Sequence, residues 1–255
     1  MKKIGGLISV LILMVVLVVG CGEKEADTFT VGFDQNFPPM GFVGDDGEFT
    51  GFDLELAAEV ATRLDRELVL QPISWDAKDM ELKSENIDCV WNGFTINGRE
   101  ELYTWTDPYM ENAQVFVVRN DSGIKSMADL KGKTVVVQKD SSAEKAIQDN
   151  TLLLETFGEL IKAADYNMAL MDLESGAVDA VAMDEIVARY QLGKREGVFE
   201  VMDEDISAEE YGVGFLLGNE SLRDEVQEQL VAMAKDGTLK TISEKWFGSD
   251  VTTIK

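Results

Sequence analysis

Two short stretches, "IDCVWNG" (residues 87–93) and "VDAVAMD" (178–184), limit the folds open to this chain more than anything else in it. Each is a nearly unbroken apolar run, opened by an aspartate and closed by polar groups. A strand with one wet face alternates apolar and polar residues. A run without alternation must be covered on both faces, which is the environment of a parallel sheet flanked by helices. Each run also follows a helical pattern. That is a weak internal echo, and it predicts an α/β protein with two similar lobes rather than one continuous sheet.

The rest of the chain agrees with strand–helix alternation. "FTVGF" (29–33), "ELVLQPI" (67–73), "AQVFVVR" (113–119), "KTVVVQ" (133–138) and "YGVGFLL" (211–217) read as strands. "GFDLELAAEVATRLD" (51–65) reads as a helix capped by Asp53, with Leu54, Ala57, Ala58, Ala61 and Leu64 on one face. A helix is expected near 76–85, a short one over "SMADLKG" closed by Gly132, and one after "SSAE" (141–144), a capping box. "NMALMDLESG" (167–176) stops at Gly176, and Met168, Met171 and Met183 read as core. "SLRDEVQEQLVAMAKDG" is a helix capped by Ser221 and stopped by Gly237, and a last helix holds "TISEKWFG". With 255 residues, two modest lobes can each bury a core.

Charge and composition exclude several functions. A formal charge of −25 repels nucleic acid. There is no histidine, so imidazole bases, His-containing triads and His-ligated metals are absent, and neither a metal nor a cofactor is expected. At the N-terminus, Lys2 and Lys3 precede an apolar run from Leu7 to Val19, a signal-peptide pattern shorter than a membrane span. "VVGC" (18–21) resembles a lipobox. That likeness implies cleavage after Gly20, a lipidated (palmitate-bearing) Cys21, a tether over 21–27, and a domain held at the outer face of the membrane, in a periplasm or on a Gram-positive surface. Cys89 is then the one remaining thiol, a small core residue in a buried strand with no internal disulfide partner.

Ligands of open parallel sheets sit beyond the carboxyl ends of the strands. Those ends carry Asp34, Trp75, Asn92 and Gly93, the segment Lys139–Ser142, and Asp184, with Phe37 and Arg99 in adjoining loops. If they converge, the cavity is bipolar. Arg99 and a helix N-terminus suit a carboxylate, and Asp184 suits an ammonium. Together they describe a free α-amino acid.

The segments "VGFDQNFPPMGF", "GEFTGFDLELAAEVATRL", "NGFTINGREELYTWTDPY", "LKGKTVVVQKDSS", "GAVDAVAMDE" and "KDGTLKTISEKWFG" resemble, in order, the bacterial extracellular solute-binding proteins of family 3, the amino-acid receptors of ABC importers. The resemblance covers residues 28–248. It implies a two-lobed, periplasmic-binding-protein-like (type II) fold with two hinge strands and a ligand cleft between lobes. Lobe 1 would be 28–109 plus 212–255, lobe 2 would be 114–207, and the hinges would lie at about 110–113 and 208–211. By the same resemblance, Arg99 clamps the α-carboxylate beside the Thr95 hydroxyl, and the Ser141–Ser142 helix N-terminus donates to that carboxylate. The Gly93 carbonyl and Asp184 receive the α-ammonium. Asn92 faces the ligand, Phe37 and Trp75 wall it, and Asp34 reads its side chain. One departure stands out: the arginine usually follows the threonine of "GxTIT" by five residues, and here Thr95 to Arg99 is four, with "NG" making a tighter turn.

Each residue also has a plainer role. Arg99 could pair with Glu100 or Glu101 on the surface, and Asp184 could cap the helix that follows it. Phe37 and Trp75 could be core, Ser141 and Ser142 caps only, and Asp34 a turn residue. The expected function is binding of a free polar amino acid and its delivery to the permease of an ABC importer by a monomeric, lipid-anchored receptor. The alternatives are a bilobed enzyme such as a dehydratase, or a ligand sensor acting in trans. An enzyme would need an acid or base at the reacting carbon, and of the available carboxylates, Asp34 and Asp184, the clamp engages the second.

Overall fold

The computed structural model describes residues 27–255, so the expected signal peptide, Cys21 and nearly all of the expected tether lie outside the described residues. Two five-stranded sheets of the same design make the two lobes. In the first, the order is Glu67–Pro72, Thr28–Phe33, Cys89–Val90, Gly214–Phe215, Thr104–Trp105. In the second, it is Glu159–Ala163, Thr134–Gln138, Ala180–Asp184, Met110–Arg119, Phe199–Tyr211. In both, the first three strands are parallel and the fourth runs antiparallel to the third. The two apolar runs of the sequence, 87–93 and 178–184, hold the central strand of their respective sheets. Cys89, Val90, Ala180, Val181, Ala182 and Met183 have no exposed surface. That is the burial on both faces that their unbroken hydrophobicity requires.

The lobes are joined by a long antiparallel ladder that the sequence pattern conceals. Met110–Arg119 and Phe199–Tyr211 pair from Phe199↔Arg119 to Tyr211↔Met110, with irregular register between Val201 and Ser207. The strand after Val198 carries six acidic residues among its polar positions in "FEVMDEDISAEEY" and shows little apolar alternation, so periodicity alone does not reveal it. The strand Glu159–Ala163 is half-exposed and carries Glu159 and Lys162 among its five residues. Pairing with Thr134–Gln138, not local preference, makes it a strand.

Several local expectations are corrected. Asp53 does not cap its helix: the helix runs Phe52–Arg63 with Gly51 at the cap, and Asp53 is fully buried in the first turn. Ser221 lies inside the helix Glu220–Asp236, whose cap position is Asn219. "SMADL" forms a single 3-10 turn at Met127–Leu130, with the capping box on Ser126 and Asp129. Met168 and Met171 are 53% and 63% exposed, on the outer side of the helix Tyr166–Ser175, while Met183 is core as expected. In "SSAE", Ser141 does accept from the backbone N–H of Glu144, but the Glu144 carboxylate reaches back to Asp140 N–H rather than to the cap residue. No helix among the described residues is long and apolar enough to cross a membrane.

Gly51 illustrates a glycine demanded by geometry. Its φ is +145°, and a Cβ there would lie 2.2 Å from the Met40 carbonyl oxygen. Gly51→Ala is expected to cost at least about 3 kcal/mol, from the forbidden backbone region plus the clash. Urea denaturation of the purified variant and wild type, compared at equal m-value, measures it.

Candidate functional site

The strand ends of both sheets meet at one small, partly open pocket between the lobes, whose free volume is about 10 Å³. Phe37, Trp75, Asn92, Gly93, Thr95 and Arg99 line it from the first lobe, and Gln138, Ser141, Ser142 and Asp184 from the second. Every residue singled out from sequence reaches this lining except Asp34, which stands just behind it. There its carboxylate accepts from Gln138 Nε2 at 2.7 Å and from Asn36 N–H at 2.9 Å. Burial raises the Asp34 pKa against the lowering effect of those two bonds.

Arg99 is 7% exposed and reaches the cavity despite the short spacing. Gly98 makes this possible: its φ of +77° lets the Asn97–Gly98 turn close, with Arg99 N–H bonded to the Ile96 carbonyl at 2.8 Å. The guanidinium lies over the Phe94 ring, 5.4 Å from its centroid, and donates to two carbonyls, Thr95 O at 3.3 Å and Asp140 O at 3.1 Å. Among the described residues no carboxylate lies within ion-pair distance of it, Glu100 and Glu101 included. A nearly buried cation held only by neutral acceptors is an incomplete pair.

The opposite pole is anionic. Asp184 stands at the cap position of the helix Glu185–Lys194 but makes no cap bond. Instead Asn112 Nδ2 (3.1 Å), Gln114 Nε2 (2.8 Å) and Tyr211 Oη (2.6 Å) all donate to its Oδ1. Burial, then the charge of neighbouring Glu209, pushes its pKa well above the usual carboxylate range. No lysine or arginine among the described residues pairs with it.

Between the poles the walls are fitted. Trp75 packs edge-on against Phe94 at 5.3 Å, and Phe37 faces Tyr166 of the other lobe at 6.0 Å. Asn92 Oδ1 accepts from Asp34 N–H at 2.9 Å, while its Nδ2 is buried without a partner beside Gly41. Gly93 has φ +56°, and a Cβ there would meet Phe37 Cε1 at 2.9 Å, so a side chain at this position would push the aromatic wall inward. The cleft is shut by bonds across it: Thr95 Oγ1 to Ser142 Oγ at 3.1 Å, Asp34 to Gln138, Lys139 to Asp76 at 2.6 Å, and the almost fully buried Lys78 to Asp140. The Lys139–Asp76 pair is exposed and contributes little.

The reading from sequence missed Gln138, Gln114, Glu209 and Asp53. Gln138 ends "TVVVQ", so the strand-end rule could have found it, and Gln114 is a fully buried polar residue that opens the apolar run Val115–Val118. Glu209 sits in an acidic stretch with no local sign of its burial. Asp53 lies under the site. Its Oδ2 accepts from Gly93 N–H at 2.6 Å and Tyr109 Oη at 2.9 Å, and its Oδ1 and the Trp91 indole N–H are both buried without partners. Burial raises its pKa to about 7, against those two bonds, which lower it.

Comparison with known proteins places this geometry. The family model "Bacterial extracellular solute-binding proteins, family 3" matches residues 29–249. The L-cystine-binding protein TcyJ of Escherichia coli (strain K12) is 37% identical over 233 residues, 90% of this chain and 86% of that protein. The crystal structure of an ABC uptake transporter substrate binding protein from Streptococcus pneumoniae with bound histidine superposes with a TM-score of 0.86 at 34% identity, covering 89% of this chain and 94% of that one. An ancestral arginine-binding protein bound to arginine gives a TM-score of 0.80 at 36% identity, over 87% and 98% of the two chains.

Because Asp53 is raised in the folded protein, its neutral form is favoured there. Its contribution to stability is full below the unfolded value near 4 and is lost as pH rises through about 7. Above that, carrying the ionised form costs on the order of 4 kcal/mol. The stability difference between Asp53→Asn and wild type is therefore expected to shift in favour of the variant by that order as pH rises from 4 to 8. Chemical denaturation across that range measures it, and a difference that stays constant with pH contradicts it.

Proposed function

The chain belongs to the bacterial extracellular solute-binding proteins of family 3, and on that premise we propose that it captures a free polar amino acid outside the cytoplasmic membrane and delivers it to an ABC importer. The observation that carries this reading is the pair of charges without ion-pair partners on one interlobe pocket, Arg99 and Asp184. A zwitterion satisfies both at once. Its carboxylate gives Arg99 the anionic partner it lacks, with the hydroxyls of Thr95 and Ser142 and the Ser141-capped helix N-terminus beside it. Its ammonium neutralises Asp184. Phe37 and Trp75 exclude water from the side-chain space, while Asn92 and Gln138 supply polar contacts for it.

Asp34 and the two aromatic walls suit a polar uncharged or cationic side chain better than an acidic one. The named specificities of the relatives, cystine and arginine, suit such a site. No group on the cavity is arranged as an acid or base at a reacting carbon, so the site is read as a receptor and not as an enzyme. Ligand is enclosed by rotation of the lobes about the ladder near 110–113 and 208–211, where the strands of the second sheet run on to bridge Thr95 and Thr252 of the first lobe. The receptor is a monomer, tethered through lipid on Cys21, and its partner is the permease of the importer.

Two experiments test this. In a thermal-shift panel of the twenty amino acids with cystine and ornithine, at least one polar amino acid is expected to raise the melting temperature by mass action. Arg99→Ala is expected to weaken its binding at least about 100-fold by calorimetry, the loss of a buried charge-assisted pair. No shift with any amino acid alongside a shift with a sugar or peptide would make the substrate class wrong. Separately, Cys21→Ala is expected to move the protein from the membrane fraction to the soluble fraction and to end incorporation of labelled palmitate.

A further inference from the structure

Asp184 is not alone at its pole. Glu209, from the strand that joins the lobes, comes up beside it, and the two side chains are 3% and 4% exposed. They share both of their amide donors. Gln114 Nε2 lies 2.8 Å from Asp184 Oδ1 and 2.8 Å from Glu209 Oε1, and Asn112 Nδ2 lies 3.1 Å and 2.5 Å from the same two atoms. Two carboxylate oxygens bonded to the same pair of nitrogens are necessarily neighbours. The side chains hydrogen-bonded around them are neutral: Tyr211 Oη on Asp184, Thr95 Oγ1 on Glu209 Oε2 at 3.0 Å, and Ser142 Oγ on Gln114, with the Tyr166 hydroxyl buried without a partner; the charged groups that face the pair without bonding to it are Arg99, on the pocket that Asp184 lines, and Lys145 and Asp149, on the outer pocket that Glu209 lines. The adjoining acidic residues turn away, Glu185 to Arg189 and Glu210 to the protein surface. Among the described residues no lysine or arginine pairs with either carboxylate.

Two adjacent buried carboxylates without a cation cannot both be ionised at low cost. One proton between them resolves the conflict, as in other close carboxylate pairs. We propose that Asp184 and Glu209 form a single seat that holds one proton when the cleft is empty and exchanges it for the ammonium group of the amino acid. This rests on the amino-acid reading above and adds a second carboxylate and a proton to it. In the exchange, the carboxylic O–H bond of the seat breaks and its proton passes to bulk water. N⁺–H···O⁻ bonds from the ammonium to the ionised pair replace it. The seat carries one net negative charge before, from two carboxylates and a proton, and one after, from two carboxylates and an ammonium. The seat therefore never has to hold two uncompensated negative charges.

The raised proton affinity of Asp184 next to Glu209 agrees in direction with this. The ammonium opposes the proton, so binding weakens as pH falls through the raised value of the empty seat. The position of Glu209, one residue from the crossing pair Glu210↔Glu111, also ties the exchange to the strands on which the lobes turn.

Calorimetry tests the exchange, using the panel amino acid that gives the largest thermal shift, histidine set aside because its imidazole titrates in the same range. The binding enthalpy is measured between pH 5 and 8, at each pH in buffers of different ionisation enthalpy. For wild type, the slope against buffer enthalpy is expected to approach one proton released per amino acid at the acid end. Affinity is expected there to fall by up to about tenfold per pH unit. In Glu209→Gln, which keeps the size and one acceptor of the side chain, the slope and the pH dependence are expected to shrink towards zero. Wild-type binding with no buffer-dependent enthalpy anywhere in the range overturns the exchange and leaves the amino-acid reading standing. So does a Glu209→Gln variant that releases as much proton as wild type. Absence of binding by any amino acid overturns the amino-acid reading, and the exchange with it.

Discussion

The antiparallel ladder between Met110–Arg119 and Phe199–Tyr211 is the interaction on which the rest of the molecule depends. It forms one edge of the second sheet, and its far end passes beside the first lobe, where Tyr211 bridges to Thr95 and Met110 to Thr252. It therefore does two jobs that are usually separate. It holds the lobes in register, and it carries Asn112, Gln114, Glu209 and Tyr211 into the polar wall around Asp184. Backbone pairing sets the positions of these side chains to within the tolerance of hydrogen bonds. The donors at the anionic pole are thus as well placed as the ladder itself.

The chemistry of the cleft follows from charges left without partners. An interior tolerates an arginine or a carboxylate when it is paired, and penalises each by several kcal/mol when it is not. Elsewhere in the chain this rule is kept. The buried ammonium of Lys78 reaches Asp140, and Glu144, barely exposed, meets Lys162. At the cavity it is relaxed at both ends, with neutral donors and acceptors offsetting part of the cost. Beneath the floor, Asp53 adds a buried carboxylate whose bonds to Gly93 and Tyr109 hold the left-handed turn that presents Gly93 and Asn92.

Much of this was legible from residue order, and the failures are instructive. Strand–helix alternation, the burial of both central runs, and the convergence of Arg99, Thr95, Asn92, Phe37 and Asp184 could be read because each leaves a local mark: an apolar run, a turn residue, or a polar group at a strand end. The four-residue spacing from Thr95 to Arg99 raised a real question. The turn at Gly98 answered it by delivering the guanidinium to the cavity from a tighter loop. Asp53 was misassigned because an aspartate near a helix start resembles a cap, whereas only the packing of Tyr109 and Gly93 against it shows that it is core. Met168 and Met171 look like core by composition and prove exposed, because the helix turns its alanine and leucine face inward.

By itself the sequence determined the class of fold, two α/β lobes, and the chemical character of the cleft, because hydrophobic runs and residues at strand ends are local properties. Only the tertiary structure decided that Glu209 and Asp184 are neighbours, that Gln114 and Asn112 bridge them, and that Arg99 lacks a carboxylate while Lys78 has one. Those facts join residues up to 97 positions apart, as in Asn112 and Glu209. No periodicity records such a contact. It exists because the ladder and the closed cleft bring distant backbone into register, and burial then turns proximity into a strong electrostatic constraint.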